Sequence, residues 1–333
     1  MESSAENNLL NEAYNSLLRI NLEIIRPTVP DGRLYHYTSA EGLRGIVESK
    51  CLHASLAYLL NDSSEVLYGC DIVLSAIPQL KDAYSGRTTT LVSRVLDDLN
   101  ASFSFESNRP TWTHSIFVAC FCASDNLLSQ WRAYGQQGGY SLGIAASPSP
   151  NLQPEPKTFT ARLIRVEYNR QTQIQSCLQL LRDILSKISS EDLAIAVANQ
   201  SQYSFHKYEK FYTVIQDLLI EKIVGFKNPA FAEEREWRLV ARQRELMKQG
   251  IDDGGKSPTE VYFRTSRGLV IPYIKLVPRQ GPQIPGQAPF LLSSIRFGPT
   301  LNRSKGEASL RMMLEMNDIK NVVIDGSDIP VLL

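Results

Sequence analysis

The segment Ser115–Cys122 constrains the fold most, because it carries no charge and consists mainly of β-branched, aromatic and small residues. Such a run is typical of a central strand that is buried on both faces of a sheet. Strand character recurs along the chain at Arg33–Thr38, Tyr140–Ile144, Arg162–Tyr168, Glu236–Ala241 and Val322–Ile324. The sequence therefore predicts a sheet flanked by helices.

Helical periodicity is strongest between Thr172 and Val224, where Ile174, Leu178 and Leu181 fall on one stripe. We interpret residues 170–225 as a helical insertion into the sheet. Residues 1–30 predict an N-terminal helix, and residues 31–333 a single domain. Because strands and helices mix without strict alternation, the predicted class is α+β.

Charge and composition exclude several classes of protein. The 35 basic and 35 acidic residues cancel, which argues against non-specific binding to nucleic acid. Apolar runs are far shorter than the roughly 20 residues of a membrane span. The N-terminus lacks the charge pattern of a secretory signal, so we expect a cytoplasmic protein. The five cysteines are dispersed without metal-ligand spacing, which predicts reduced thiols and no metal.

The first candidate site is Tyr35–Thr38. In a strand, His36 and Thr38 project to one face, beside the start of a helix that a Thr38–Glu41 capping box predicts. An imidazole and a hydroxyl in this position, together with the neighbouring Tyr37, suit ribose or phosphate binding. The alternative is a core histidine bonded to a backbone carbonyl.

The second candidate site is Ser129–Gly135, which precedes a glycine-rich turn and Tyr140. Trp131, Tyr134 and the adjacent Arg132 can stack on a flat heteroaromatic ring, and glycines allow close approach of a ligand. The alternative is that these aromatic residues pack a helix end against the sheet.

The third candidate site is Phe231–Val240. If Glu234–Val240 is a strand or its entry loop, Glu234, Glu236 and Arg238 share one face. Two carboxylates so placed suit acid–base chemistry. The alternative is an ion-paired, solvent-facing strand edge in which Arg238 neutralises Glu236.

Together these residues resemble a widespread bacterial family of unknown function, over about residues 33–331. Five ordered motifs carry the resemblance: Leu34–Ser39 with Glu41–Leu43, Asn61–Glu65, Gln130–Tyr134 with Gly139–Gly143, Glu234–Arg238, and Ile295–Pro299.

A more distant resemblance is to the ADP-ribosyltransferases of the histidine–tyrosine–glutamate type. It implies a split, mixed or antiparallel sheet, with NAD as substrate. His36 would then bind the adenosine-side ribose and the nicotinamide amide, Tyr134 or Tyr140 would stack on nicotinamide, and Glu236 would bind the nicotinamide ribose. Glu234 matches the E-x-E pattern of arginine-directed members.

The expected function is therefore cleavage of the nicotinamide–ribose bond, with transfer of ADP-ribose to an unidentified macromolecular acceptor or to water. The cationic nicotinamide needs no acid to leave, only a carboxylate that stabilises the oxocarbenium-like sugar. The alternative is a non-catalytic module that senses a nucleotide or binds a protein, in a stress or phage-defence setting. A nuclease would need an acidic metal cluster that the sequence lacks.

Overall fold

The computed structural model describes residues 12, 29, 32–60, 64–84, 90–104, 116–134, 138–146, 152–155, 159–188, 202–243, 261–266, 268–278, 292–299 and 302–330. The helix predicted within residues 1–30 falls almost wholly outside these residues. Among the described helices, none is long and apolar enough to cross a membrane.

Eleven strands form one sheet. In chain order they are β1 (Arg33–Ser39), β2 (Leu52–Leu56), β3 (Ile116–Cys122), β4 (Gly139–Ala145), β5 (Leu152–Glu155), β6 (Phe159–Arg165), β7 (Glu236–Gln243), β8 (Tyr262–Ser266), β9 (Leu269–Pro278), β10 (Leu292–Phe297) and β11 (Val323–Gly326).

The helices are α1 (Ala40–Ser49), α2 (Ser64–Tyr84), α3 (Thr90–Phe103), α4 (Leu128–Tyr134), α5 (Arg170–Ile188), α6 (Gln202–Ile223) and α7 (Arg303–Met316). Short 3-10 helices cover Ala57–Leu59 and Pro229–Glu234. All strand pairs are antiparallel except β10 with β11, which are parallel. The predicted α+β class with a mixed sheet is confirmed.

Helices cover both faces of the sheet. On the four-helix face, α2, α3, α5 and α6 form a core with Val118 of β3 and Val240 of β7. On the two-helix face, α1 and α7 form a second core with Phe117 and Leu239. Because alternate residues of a strand point to opposite faces, β3 supplies side chains to both cores, as its charge-free sequence predicts.

The segment between β6 and β7 contains α5, α6 and the second 3-10 helix, while β6 and β7 pair with each other. α6 crosses α2 closely at Gly69, where an added Cβ would lie 2.5 Å from Cγ2 of Ile223. This close approach is possible because glycine has no side chain. It brings Glu65, one turn earlier on α2, towards β7.

The sheet divides at β3. β7 pairs with β3 along its whole length, whereas β2 pairs with it at Phe117 and Val118 and β1 at Cys122. Since a strand has two edges and β7 takes one of them, β1 and β2 share the other. They leave a gap beside Ala119–Phe121, which we call the fork.

The start of α1 differs from the prediction. Ser39, not Thr38, is the N-cap, and its hydroxyl accepts a hydrogen bond from the Gly42 amide at 3.1 Å. Thr38 is still in β1, because it pairs with Tyr140 of β4. The strand therefore continues for one residue more than the capping box implied.

Candidate functional site

Five charged side chains form a buried group on the four-helix face, which we call the charge cluster. Lys227 lies at its centre. Its Nζ contacts Glu65 Oε1 at 2.9 Å, Glu234 Oε2 at 2.6 Å and Glu236 Oε2 at 3.1 Å. Arg238 completes the cluster, which therefore combines three carboxylates with two cations.

Arg238 fixes Glu236 in place. Its Nε and Nη2 each donate to one oxygen of Glu236, both at 2.8 Å. The same Nη2 donates to Glu65 at 2.5 Å, and Nη1 donates to the carbonyl of Val224 at 3.0 Å. Both oxygens of Glu236 are thus engaged. The ion pair with Arg238 that the alternative anticipated is present, but the expected solvent-facing edge is wrong, because both residues are buried and β7 pairs with β3 and β6.

The local backbone explains the arrangement. Glu236 and Arg238 lie on the same face of β7, opposite Cys122 and Cys120 of β3. Glu234, predicted on the same strand, instead ends the 3-10 helix Pro229–Glu234. Arg235 then turns the chain in the left-handed region with φ of 45°. This turn explains why Glu234 approaches Lys227 from a different element.

Burial and charge move the pKa values of the two glutamates in opposite directions. Burial favours protonation of Glu236, but the cations of Arg238 and Lys227 outweigh it and lower its pKa to about 2. For Glu234, burial raises the pKa, and Lys227 offsets this only in part. The side chain of Glu236 is 5% exposed, and the side chain of Glu234 is 16% exposed. Glu236 therefore stays ionised, while Glu234 is the more easily protonated of the two.

Lys227 stays protonated in this setting. Burial alone would lower its pKa, but Glu236 and Glu65 reverse that effect and raise it. Its ammonium group is thus a permanent positive charge shared by three carboxylates.

Three further polar groups adjoin the charge cluster. The hydroxyl of Tyr168 accepts a hydrogen bond from the Glu236 amide at 2.8 Å, which fixes the first residue of β7. Burial raises the pKa values of Tyr134 and Cys120, and the charge of Glu236 adds to the effect in both cases. The phenol and the thiol therefore stay neutral beside the ionised carboxylate. Tyr134 is 37% exposed on α4, and the charge of Glu236 reaches it.

A cavity of about 340 Å³ opens beside the charge cluster. Its walls include Glu65, Tyr68 and Asp71 of α2 and the ring of Phe231. Lys227 Nζ lies 5.1 Å from the centre of that ring. The cavity thus combines acidic and aromatic groups, and it meets the charge cluster at Glu65.

His36 lies apart from these residues. Its Nδ1 is 2.9 Å from the Cys120 carbonyl at the fork, and its ring packs edge-on against Phe121. Burial lowers its pKa despite that bond, and Arg264 lowers it further. His36 pairs with Leu142 of the two-helix core, so it does not share a sheet face with Glu236. The histidine is therefore bonded to a backbone carbonyl, as the alternative to ligand binding anticipated.

Tyr37 and Trp131 serve to pack α4 against the sheet. Tyr37 Oη donates to the Ser124 carbonyl at 3.0 Å and accepts from the Leu127 amide at 2.9 Å. Trp131 is buried, donates to Asn126 Oδ1 at 2.9 Å and lies edge-on to Tyr37. The alternative for this motif, packing of a helix end against the sheet, is observed for Trp131, whereas Tyr134 is exposed.

The other three predicted residues are dispersed. Thr38 and Tyr140 pair across β1 and β4, and Tyr140 packs against Phe297 at a ring distance of 5.3 Å. Arg132 is exposed on α4. None of these three makes a described contact with the charge cluster.

Sequence reasoning missed Lys227 and Tyr168. It included Phe231 only as the first residue of the third candidate site, and it gave Glu65 no role beyond its motif. Lys227 has no local signal, because it stands alone before Asn228 and Pro229. Glu65 is 173 residues from its partner Arg238, so only the tertiary fold reveals the pair. Within the described residues, no group of histidine, cysteine, aspartate or glutamate side chains is arranged to hold a metal.

Residues 130–239 match the model of a family described as "Protein of unknown function (DUF2971)". The matched region contains Lys227, Glu234, Glu236 and Arg238, whereas His36 and Glu65 lie outside it. No match was found among curated proteins or among solved structures. Over residues 130–239, the chain is therefore similar to a family whose function is unknown.

Proposed function

We propose that the charge cluster is the catalytic centre of an enzyme that cleaves the nicotinamide–ribose bond of NAD and transfers ADP-ribose to an acceptor or to water. One observation carries the proposal. Glu234 and Glu236 contact the same Lys227 ammonium, and their pKa values are shifted in opposite directions. Pairs of carboxylates with separated pKa values are typical of acid–base and glycosidic chemistry.

The reaction would place each glutamate in a distinct role. The bond from ribose C1′ to the nicotinamide nitrogen breaks, and its electron pair neutralises the pyridinium ring. Glu234, the more exposed carboxylate, would accept the proton of the attacking nucleophile. Glu236 is enclosed by Arg238, so it would act as a positioning residue that holds Lys227 and contributes negative charge near the oxocarbenium-like sugar.

The adjoining cavity supports this assignment. Nicotinamide in NAD is a flat cation, and aromatic faces together with carboxylates attract such groups. Phe231 provides the ring, and Glu65 and Asp71 provide carboxylates, which in this structure pair with Lys227 and Arg170 respectively. The division of the sheet at the fork further supports the resemblance to the split sheet of ADP-ribosyltransferases. In this proposal Tyr134 is the candidate for stacking on nicotinamide, and His36 makes no described contact with the charge cluster.

A second candidate function is a nucleotide-sensing or protein-binding module without catalysis. The observation that favours it is the complete pairing of Glu236 by Arg238. A buried network of this kind can also fix one packing arrangement between α2 and β7. In that case NAD would be retained without conversion.

The two functions are separated by comparing two neighbouring glutamates. Glu234→Gln should lower the rate of nicotinamide release from NAD by about 100-fold or more, because it removes the proton acceptor. Glu233→Gln is the matched control, because Glu233 is exposed on the same 3-10 helix. Its rate should equal that of the wild type. Equal rates for the two variants, or intact NAD bound by the wild type, would remove the catalytic assignment.

A further inference from the structure

A second cavity, of about 360 Å³, lies where β10 and β11 end, at one edge of the sheet. These parallel strands are joined by α7, and both carboxyl ends open into the cavity. In parallel strand–helix–strand units, ligands bind beyond the carboxyl ends of the strands. Four charged residues line the cavity: Arg296, Arg303, Asp325 and Asp328.

Within the described part of the chain, Arg303 forms only long ion pairs. Its side chain is 56% exposed, Nη1 lies 3.4 Å from Asp325 Oδ1, and Nε lies 3.7 Å from Glu307 Oε2. Among the described residues, its guanidinium donates no hydrogen bond. A guanidinium with free N–H groups matches the geometry of a phosphate.

Arg296, in contrast, is already fixed. It donates to Asp125 Oδ2 at 2.9 Å and to the Gly326 carbonyl at 2.8 Å, and it lies 3.2 Å from Asp325. These bonds tie the ends of β10 and β11 to the segment after β3. The wall that carries Asp325 is therefore held in position before any ligand arrives.

The carboxylates near this cavity restrict which anions can bind there. Asp325 and Asp328 on the wall, with Asp125 beside Arg296 and Glu307 beside Arg303, outnumber the two arginines, so a bare anion would be repelled. Asp325 Oδ1 accepts from the Gly326 amide, and Asp328 Oδ1 accepts from the side-chain amide of Asn126. Carboxylates have further lone pairs, so hydroxyl groups, which donate hydrogen bonds, would be attracted to both. A ligand that combines an anionic group with neighbouring hydroxyls satisfies both kinds of side chain.

We propose that this cavity binds a phosphorylated sugar, with the phosphate on Arg303 and sugar hydroxyls on Asp325 and Asp328. The proposal goes beyond NAD cleavage and does not depend on it, because none of these residues belongs to the charge cluster. The ligand is either a free sugar phosphate or the ribose-phosphate part of a nucleotide.

Calorimetric titration of the full chain tests the proposal. Ribose 5-phosphate should bind at least about tenfold more tightly than ribose or inorganic phosphate alone, because only it engages both side-chain types. Binding of AMP as tight as that of ribose 5-phosphate would identify nucleotides as the source. Weaker binding of AMP than of ribose 5-phosphate would identify free sugar phosphates as the ligands.

Single-residue variants test whether ribose 5-phosphate binds in this cavity. Arg303→Gln should weaken ribose 5-phosphate binding at least about tenfold, while Arg311→Gln, at an exposed position of the same helix, should leave it unchanged. Glu234→Gln should also leave it unchanged, which separates this site from the charge cluster. Equal binding by the two arginine variants, loss of binding in Glu234→Gln, or equal affinity for inorganic phosphate would overturn the proposal.

Discussion

At the residue scale, Glu236 links protonation to stability. Its pKa in the folded protein is about 2, below the value of roughly 4.3 in an unfolded chain. Its ionised form therefore stabilises the fold above about pH 4.5, and this contribution is lost as the pH falls towards 2.

Urea unfolding of the wild type and of Glu236→Gln, measured from pH 6 to pH 2, tests this assignment. The variant retains Glu65 and Glu234 opposite Lys227 and Arg238, so charge balance is kept. The wild type should lose on the order of 3 kcal/mol more than the variant over this range. Parallel pH profiles would show that Arg238 and Lys227 do not hold Glu236 ionised.

The pairing of Glu236 with Arg238 was foreseeable from the sequence, because residues two apart on a strand share a face. The turn at Arg235 could not be predicted from the sequence. Alternation of side chains alone extends the strand back to Glu234. In the structure, a 3-10 helix that begins at Pro229 and is capped by Asn228 ends just before β7. The contact of Glu234 with Lys227 was hidden for the same reason.

At the element scale, the start of α1 shows how β-pairing overrides a capping motif. Ser39 caps the helix while Thr38 remains in β1. Ser39→Ala should therefore lower the free energy of unfolding by about 1 kcal/mol. Glu41→Ala, which would break the capping box predicted at Thr38, should change it by less than about 0.5 kcal/mol. A larger loss for Glu41→Ala than for Ser39→Ala in thermal unfolding would favour the capping box.

Other elements followed directly from their sequence patterns. The uncharged run of residues predicted that β3 is a central strand. The predicted stripe that contains Leu178 and Leu181 forms the buried side of α5. Periodicity identifies such elements because it reports which side chains are buried.

At the scale of the whole molecule, the fork and the charge cluster were beyond prediction. Both depend on the register between strands far apart in the chain, and local patterns do not encode that register. His36 illustrates the consequence. The strand that carries His36 was predicted from the sequence. The fork, however, places the His36 ring against the Cys120 carbonyl, whereas Glu236 lies on the opposite face of the sheet.

The most direct test of the central claim is the number of nicotinamide molecules released per molecule of purified protein supplied with excess NAD. An enzyme centred on the charge cluster releases many per protein molecule, with one ADP-ribose, free or attached to an acceptor, for each nicotinamide. Recovery of all the NAD intact after prolonged incubation with folded wild-type protein would contradict the account.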